Sequence, residues 1–131
     1  MKLFLASLLL STVAFAAPKV VEPGLYSAVD VESKTIKATL DIRADHTLNF
    51  KVAAPDFTMP EPGCEGKWSV EENIISGDLT CPLDFLSQVS VQIDITNVTP
   101  ESVRSPEGVN VEVVIDALGA DAFLFNLKKV K

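Results

Sequence analysis

Hydrophobic and polar residues alternate with a period of two along nearly the whole chain after Pro23. In the clearest run, residues 36–42, Ile, Ala, Leu and Ile alternate with Lys, Thr and Asp. Because successive side chains of a β-strand point to opposite faces, this period predicts strands that are buried on one face. No stretch of useful length has the helical period. The predicted strands are 24–31, 35–43, 46–53, 64–70, 74–81, 88–98, 109–117 and 121–130.

The connections between these strands are mostly short, which favours antiparallel pairing of consecutive strands. Eight antiparallel strands with one apolar face can close on themselves and so remove the exposed edges of the sheet. The predicted fold is therefore all-β, an eight-stranded antiparallel up-and-down barrel. A β-sandwich of two open sheets is the alternative architecture that the same pattern allows.

Two cysteines, Cys64 and Cys81, bracket a predicted β-hairpin with its tip near 71–73. If they face each other, both lie on the apolar face of the hairpin, so one register satisfies the covalent geometry and the hydrophobic pattern together. This register pairs Gly66 with Leu79, Trp68 with Gly77 and Val70 with Ile75. We therefore predict one disulfide, Cys64–Cys81, which is typical of proteins that fold in an oxidising compartment.

The first residues of the chain have the pattern of a signal peptide. Lys2 provides the positive charge, Leu3–Leu10 form an apolar run, and Ala14–Ala16 is a small-x-small cleavage site. The alternative, an anchored helix, is disfavoured because the apolar run is too short to span a bilayer. We predict a signal peptide over 1–16, a single domain over 17–131, and a secreted or periplasmic location.

The charge balance narrows the choice of partners. The chain has 11 basic and 18 acidic residues, a net charge of −7. Removing the predicted signal peptide takes away one lysine and no acidic residue, which leaves ten against 18 and a net charge of −8. This charge disfavours nucleic acid and anionic membrane surfaces and suits a basic protein. The predicted strands are also short for a membrane-spanning barrel.

Few residues have the types and spacing that catalysis requires. His46 is the single histidine, and it lies in a predicted tight turn beside Asp45. Glu71 and Glu72 are adjacent at a predicted hairpin tip, where two carboxylates are solvated rather than directed into a cleft. The chain lacks a second cysteine pair for a zinc site and a glycine-rich phosphate loop. We expect no catalytic residues, no metal site, no cofactor and no enzymatic activity.

The loop over 53–63 is longer than a hairpin requires and contains prolines at positions 55, 60 and 62. It carries Phe57 and Met59, which either fold over an open end of the barrel or are displayed to a partner. A second loop, 99–108, is polar and is expected to be a solvated connection. Asn97 begins an Asn-Val-Thr sequon that is followed by proline, which makes it a weak glycosylation signal.

Several short motifs resemble small lipocalin-like domains of bacterial envelope proteins. Such domains often have a strand, an Asp-Gly-Thr-type turn, a second strand and then Gly-x-Trp opening the next hairpin. The run Thr39–Phe50 followed by Gly66–Trp68 is similar to this pattern, with His46 in place of the turn glycine. Gly24–Tyr26 resembles their Gly-x-aromatic start, so the likeness covers about 24–81. It implies a β-barrel with a closed or narrow interior and no particular ligand.

Two functions fit these observations, both of them non-enzymatic binding. The first is a small apolar ligand held in a narrow barrel interior under the 53–63 loop. Its candidate ligand-binding residues are Phe50, Trp68, Phe123 and Phe125. The alternative is a protein-interaction or inhibitor module of the kind that inhibits lysozymes or proteases, with Phe57 and Met59 in contact with a partner. The acidic charge would suit a basic target such as lysozyme.

Overall fold

The structure, a computed structural model, describes residues 21–83, 87–119 and 121–130. The predicted signal peptide over 1–16 lies outside the described residues. The strands are β1 (Gly24–Asp30), β2 (Lys37–Ile42), β3 (Thr47–Ala54), β4 (Phe57–Thr58), β5 (Cys64–Glu71), β6 (Ile74–Thr80), β7 (Gln88–Asp94), β8 (Val109–Ile115) and β9 (Phe123–Lys129). One short helix, α1 (Pro100–Arg104), lies between β7 and β8, and a 3-10 turn (Asp116–Leu118) follows β8. No helix in the described part of the chain is long and apolar enough to cross a membrane.

Eight of the strands form a closed antiparallel barrel. Each pairs with its neighbour in the order β2-β1-β9-β8-β7-β6-β5-β3, and the pairing of β2 with β3 closes the ring. The predicted eight-stranded up-and-down barrel is confirmed, and the sandwich alternative is wrong. The remaining strand, β4, is not part of the ring and pairs only with the end of β3. Two residues are too few to produce the alternating pattern, so the sequence did not predict β4.

The hairpin β5–β6 has the predicted register. Gly66 pairs with Leu79, Trp68 with Gly77, and Val70 with Ile75. The disulfide joins Cys64 to Cys81, and the Cys64 side chain is completely buried. The disulfide and the register are therefore both confirmed, because a single pairing places the two cysteines and the apolar residues on the inner face.

The core consists of the side chains that point into the barrel. They come from alternate positions of every strand of the ring, as the period of two requires. The largest fully buried side chains are Tyr26, Leu48, Val91, Ile95 and Val103. Burying one large apolar side chain contributes about 1.5–3 kcal/mol to the free energy of unfolding, so these inward side chains are the main stabilising contribution to the fold.

One end of the barrel, here called the helix end, is covered by α1. The helix begins at Pro100 after the N-cap Thr99, whose hydroxyl accepts a hydrogen bond from the Ser102 backbone N–H at 3.0 Å. Its Val103 side chain is 2% exposed. The prediction that 99–108 is simply a solvated connection is wrong, because this segment contains α1 and buries Val103. The sequence does not predict α1, since a helix of five residues with one inward side chain shows no periodicity.

Tyr26, the only tyrosine of the chain, lies at the helix end and is 2% exposed. Its hydroxyl donates a hydrogen bond to the Glu22 carbonyl oxygen at 2.6 Å. Burial, with a smaller contribution from the Glu22 charge, raises the pKa of Tyr26 to about 12. The folded protein therefore holds this proton over a pH range in which the unfolded chain, with a tyrosine pKa near 10, has lost it.

We expect the Tyr26 absorbance to change to that of tyrosinate only near pH 12 in the folded protein. The free energy of unfolding should fall between pH 10 and 12 by roughly 2–3 kcal/mol, because the unfolded state then binds fewer protons. Ultraviolet titration, with circular dichroism to confirm that the protein stays folded, measures the first quantity. The Tyr26→Phe variant should lack this fall in stability. Ionisation of folded Tyr26 near pH 10 would contradict the expectation.

Candidate functional site

The inward side chains of the described residues enclose a small space inside the barrel. This space has a volume of about 20 Å³, and its lining is entirely apolar. Phe50 on β3 and Phe125 on β9 line it, together with the small side chains of Ala28 and Ala38 on the two strands between them. This volume holds about one water molecule, whereas small-molecule pockets measure roughly 300–1,000 Å³.

The four aromatic residues of the predicted interior site do not converge on this space. Phe50 and Phe125 line it, whereas Phe123 and Trp68 are not among its lining residues. Phe123 is partly buried and packs against the core from the start of β9. Trp68 leans towards β3, where its Nε1–H donates a hydrogen bond to the Thr47 carbonyl oxygen at 3.0 Å.

Trp68 forms a stack with His46 that the sequence did not predict. The two rings are 4.3 Å apart between centroids and 11° from parallel. The His46 Nδ1 atom also lies 3.2 Å from the Trp68 carbonyl oxygen, where a ring N–H can donate. His46 has a φ of +67° in the turn between β2 and β3, which directs its ring across β5. His46 therefore packs on the Trp68 ring. Neither of these two contacts places a nucleophile beside its imidazole, which a general base would require.

The 53–63 loop lies at the opposite end of the barrel, here called the disulfide end. Met59 turns towards the barrel: it is partly buried against the core, and its Sδ is 3.5 Å from Cys64 Sγ. Phe57, two residues earlier in β4, is 38% exposed. Phe57 and Leu124, on the outer face of β9, are the most exposed aromatic and leucine side chains among the described residues. The loop thus covers part of the core with one side chain and displays the other.

Several contacts hold this loop in one position. β4 pairs with β3, and the Met59 backbone N–H donates to the Val52 carbonyl oxygen at 2.9 Å. Lys51 Nζ forms an ion pair with Glu61 at 2.8 Å. Asn49, a buried polar side chain, donates from Nδ2 to the Pro62 carbonyl oxygen at 2.7 Å. These contacts fix the position of Phe57 relative to the barrel wall.

The best-connected carboxylate on the outer surface is Glu65. It accepts two hydrogen bonds from the Arg43 guanidinium at 3.2 and 3.1 Å and one from Asn49 Nδ2 at 2.8 Å. These donors, Arg43 first, lower the pKa of Glu65. Because both charged groups are well exposed, the network contributes little to stability, but it orients the Asn49 amide that holds the loop.

Three other acidic side chains lie at turns between strands: Asp45, Glu71 and Glu72. Glu71 and Glu72 are exposed at the β5–β6 turn, where Glu72 and Asn73 have φ values of +52° and +64°. The pKa of Asp45 is lowered because its carboxylate accepts hydrogen bonds from the Thr47 hydroxyl and backbone. Among the described residues, no three His, Cys, Asp or Glu side chains are close enough to hold a metal ion.

Comparisons of this chain with protein-family models, with curated proteins and with solved structures find no match.

Proposed function

We propose that this protein is an exported, non-enzymatic binding protein that acts as a protein-interaction module through its 53–63 loop. The observation that carries the proposal is the small size of the apolar space inside the barrel, about 20 Å³ among the described residues. A space of this size is too small for a ligand unless side chains move, which favours binding through the exterior. The loop is the part of the exterior on which an exposed aromatic side chain is held by several independent contacts.

Export is supported by the disulfide and by the amino-terminal pattern. Disulfides persist in secreted and periplasmic proteins and are rare in the cytosol. The Cys64–Cys81 bridge is buried in the same hairpin that carries the Gly-x-Trp motif. The closed barrel also agrees with the resemblance to small lipocalin-like envelope domains, and membership of that group is part of this proposal.

The surroundings of Phe57 suggest the chemistry of the partner. A rigid exposed aromatic side chain is a frequent energetic centre of protein interfaces, because it buries a large apolar area at a small cost in conformational entropy. The exposed acidic residue Asp56 lies in the same loop, whereas Glu61 is already paired with Lys51. An apolar pocket with a basic rim would complement this arrangement, which agrees with a basic target for an acidic protein.

A second candidate function is binding of a small apolar molecule inside the barrel. The all-apolar lining and the small side chains of Ala28 and Ala38 favour it, since an apolar molecule would meet apolar surface there and would desolvate no polar group of the protein. Phe50 and Phe125 would have to move to make room for it. A native mass spectrum of protein purified from its host's exported fraction distinguishes the candidates, because an added small mass would support the interior site.

The proposal is tested at Phe57 with a matched control at Val130. Val130 is an exposed apolar residue, 55% exposed, that follows β9 near the helix end. A photo-cross-linking amino acid at position 57 should capture a protein from the host's exported fraction, and the same amino acid at position 130 should not. With the captured partner purified, Phe57→Ser should weaken binding at least about thirtyfold, as expected for a central aromatic contact.

Two measurements make this result decisive. Phe57→Ser should lower the free energy of unfolding by no more than about 1.5 kcal/mol, because its side chain is only partly covered. Met59→Ala should lower it by about 2 kcal/mol, because that side chain packs against the disulfide and the core. Equal cross-linking from positions 57 and 130, or unchanged affinity of Phe57→Ser, would disprove the loop as the contact surface.

A further inference from the structure

The outer wall of the barrel has a groove whose charge is opposite to that of the protein as a whole. It has a volume of about 530 Å³ and is formed by residues of β1, β2, β8, β9 and the β1–β2 connection. Lys34, Lys37 and Lys128 line it, with Asp30 as the one acidic residue of the lining. Three lysines against one aspartate give the groove a charge of +2, whereas the chain has a net charge of −7.

These three lysines are not part of the ion pairs that stabilise the fold. In the described ranges, the basic residues held in ion pairs are Arg43, Lys51, Arg104 and Lys129. Lys34, Lys37 and Lys128 are exposed and belong to no ion pair within those ranges. Their ammonium groups are therefore available to an anionic partner.

The aspartate of the groove is already engaged by its own turn. The Asp30 carboxylate accepts hydrogen bonds from the Ser33 hydroxyl at 2.6 Å and from the Ser33 backbone N–H at 3.1 Å. These bonds hold it in the β1–β2 connection. Its single negative charge offsets one of the three positive charges that the lysines present.

The groove also contains apolar and amide surface. Val29 and Val31 line it, and the Val31 backbone N–H donates to the carbonyl oxygen of Leu124, whose side chain is 42% exposed on the outer face of β9. Asn126 Nδ2 donates to Asn110 Oδ1 at 3.0 Å, which fixes the two amides side by side. The groove can thus bury apolar side chains of a partner and form hydrogen bonds to its backbone.

The size of the groove fits a short extended peptide. One row of cross-strand neighbours runs across four strands: Lys37 on β2, Val29 on β1, Asn126 on β9 and Asn110 on β8. Three strand spacings of about 4.8 Å make about 14 Å, which an extended chain covers in about four residues. Lys128 lies beside Ser27 in the next outward-facing row, so basic side chains reach the groove from more than one row.

We propose that this groove binds an extended, acidic segment of a partner protein, with carboxylates on the three lysines and apolar side chains on Val29 and Val31. A long polyanion is a poorer fit. Nucleic acids and anionic membranes bind through many successive negative charges. The groove could pair with only a few of these charges, and the acidic surface around it would repel the others. The groove shares no lining residue with the 53–63 loop that carries Phe57.

The probe is an acidic hexapeptide with blocked ends, in which Asp or Glu alternates with Val or Leu. Titrated into isotope-labelled protein at low salt, it should shift the backbone amide resonances of β1 and β9 around Ser27, Val29 and Asn126. The dissociation constant should lie at about 1 mM or below and should rise with ionic strength. The same peptide with Lys in place of the acidic residues should not bind.

The matched variants are Lys37→Gln and Lys67→Gln. Both lysines are exposed on outer faces of strands, and neither belongs to an ion pair within the described ranges, but Lys67 lies on β5 away from the groove. Lys37→Gln should weaken peptide binding about threefold and Lys67→Gln should leave it unchanged. Replacing Lys34, Lys37 and Lys128 together by Gln should weaken it at least about tenfold.

The proposal is overturned if the peptide causes no shifts up to a few times the expected dissociation constant, if the shifts lie elsewhere, or if Lys67→Gln weakens binding as much as Lys37→Gln. Tighter binding of a single-stranded oligonucleotide or of anionic phospholipid vesicles than of the peptide would also overturn it. Phe57→Ser should leave peptide binding unchanged, so a failure of the loop contact and a failure of the groove are distinguishable.

Discussion

Replacing Gly66 by Ala is expected to lower the free energy of unfolding by about 3 kcal/mol. Gly66 lies in β5 opposite Leu79 of β6. A Cβ atom at position 66 would lie 1.9 Å from the Asp78 carbonyl oxygen and 2.9 Å from the Leu79 Cα atom. Both are backbone atoms, so no side chain can rotate away and the two strands must separate. Urea unfolding followed by the fluorescence of Trp68, the single tryptophan, measures the loss.

The matched control is Gly77→Ala on the neighbouring strand of the same hairpin. A Cβ atom there would be 3.4 Å from Leu48 Cδ2, an ordinary van der Waals contact. The change should alter the free energy of unfolding by less than about 1 kcal/mol, because the added methyl group fits without a clash and the entropy of the unfolded chain falls only slightly. A Gly66→Ala protein as stable as Gly77→Ala would show that β5 and β6 do not approach as described.

Breaking the Cys64–Cys81 disulfide is expected to cost about 3 kcal/mol of the free energy of unfolding. The bridge joins residues 17 positions apart, and the entropy of closing a loop of that length accounts for this value in the chain-entropy model. The reduced parent protein isolates this effect, since it keeps both sulfur atoms. The variant with Cys64→Ala and Cys81→Ala should lose more, because it also leaves a cavity at a fully buried position.

The disulfide should also affect the loop that displays Phe57. Met59 packs against Cys64, and its backbone N–H is bonded to the Val52 carbonyl oxygen. In the reduced protein, hydrogen exchange at the Met59 amide should accelerate more than exchange at amides of the β1–β9 pairing, which lie away from the bridge. Two free thiols in the denatured, unreduced protein, or an unchanged unfolding midpoint after reduction, would contradict the assigned role of the bridge.

The hairpin shows how much of the fold can be predicted from the chain alone. The register of β5 with β6 follows from two local conditions that agree: Cys64 must face Cys81, and Trp68 and Leu79 must share the inner face. A shift by one residue would violate both. Closure into a barrel follows from the same alternation in eight short strands, because a single apolar face with short connections has few other ways to remove its edges.

The candidate site could be predicted only in part. The sequence indicates that the 53–63 loop carries Phe57 and Met59, but their opposite exposure depends on the pairing of β4 with β3 and on the Met59 contact with the disulfide. Trp68 was predicted to face inwards, and it does, yet the stack with His46 arises because β3 lies beside β5. The direction of a side chain depends on its own position in the strand, whereas the residue that it contacts depends on which strands are neighbours in the sheet.

The sequence by itself therefore determined the faces of the strands, the register of one hairpin and the disulfide, because each depends on residues close together in the chain. Only the tertiary structure decided how little space lies between the inward side chains of the described residues, since that depends on how side chains from several strands pack together. The tertiary structure also determines which lysines form the basic groove. Lys34 and Lys37 are separated from Lys128 by about 90 positions, and they line one groove only because β9 closes the barrel against β1.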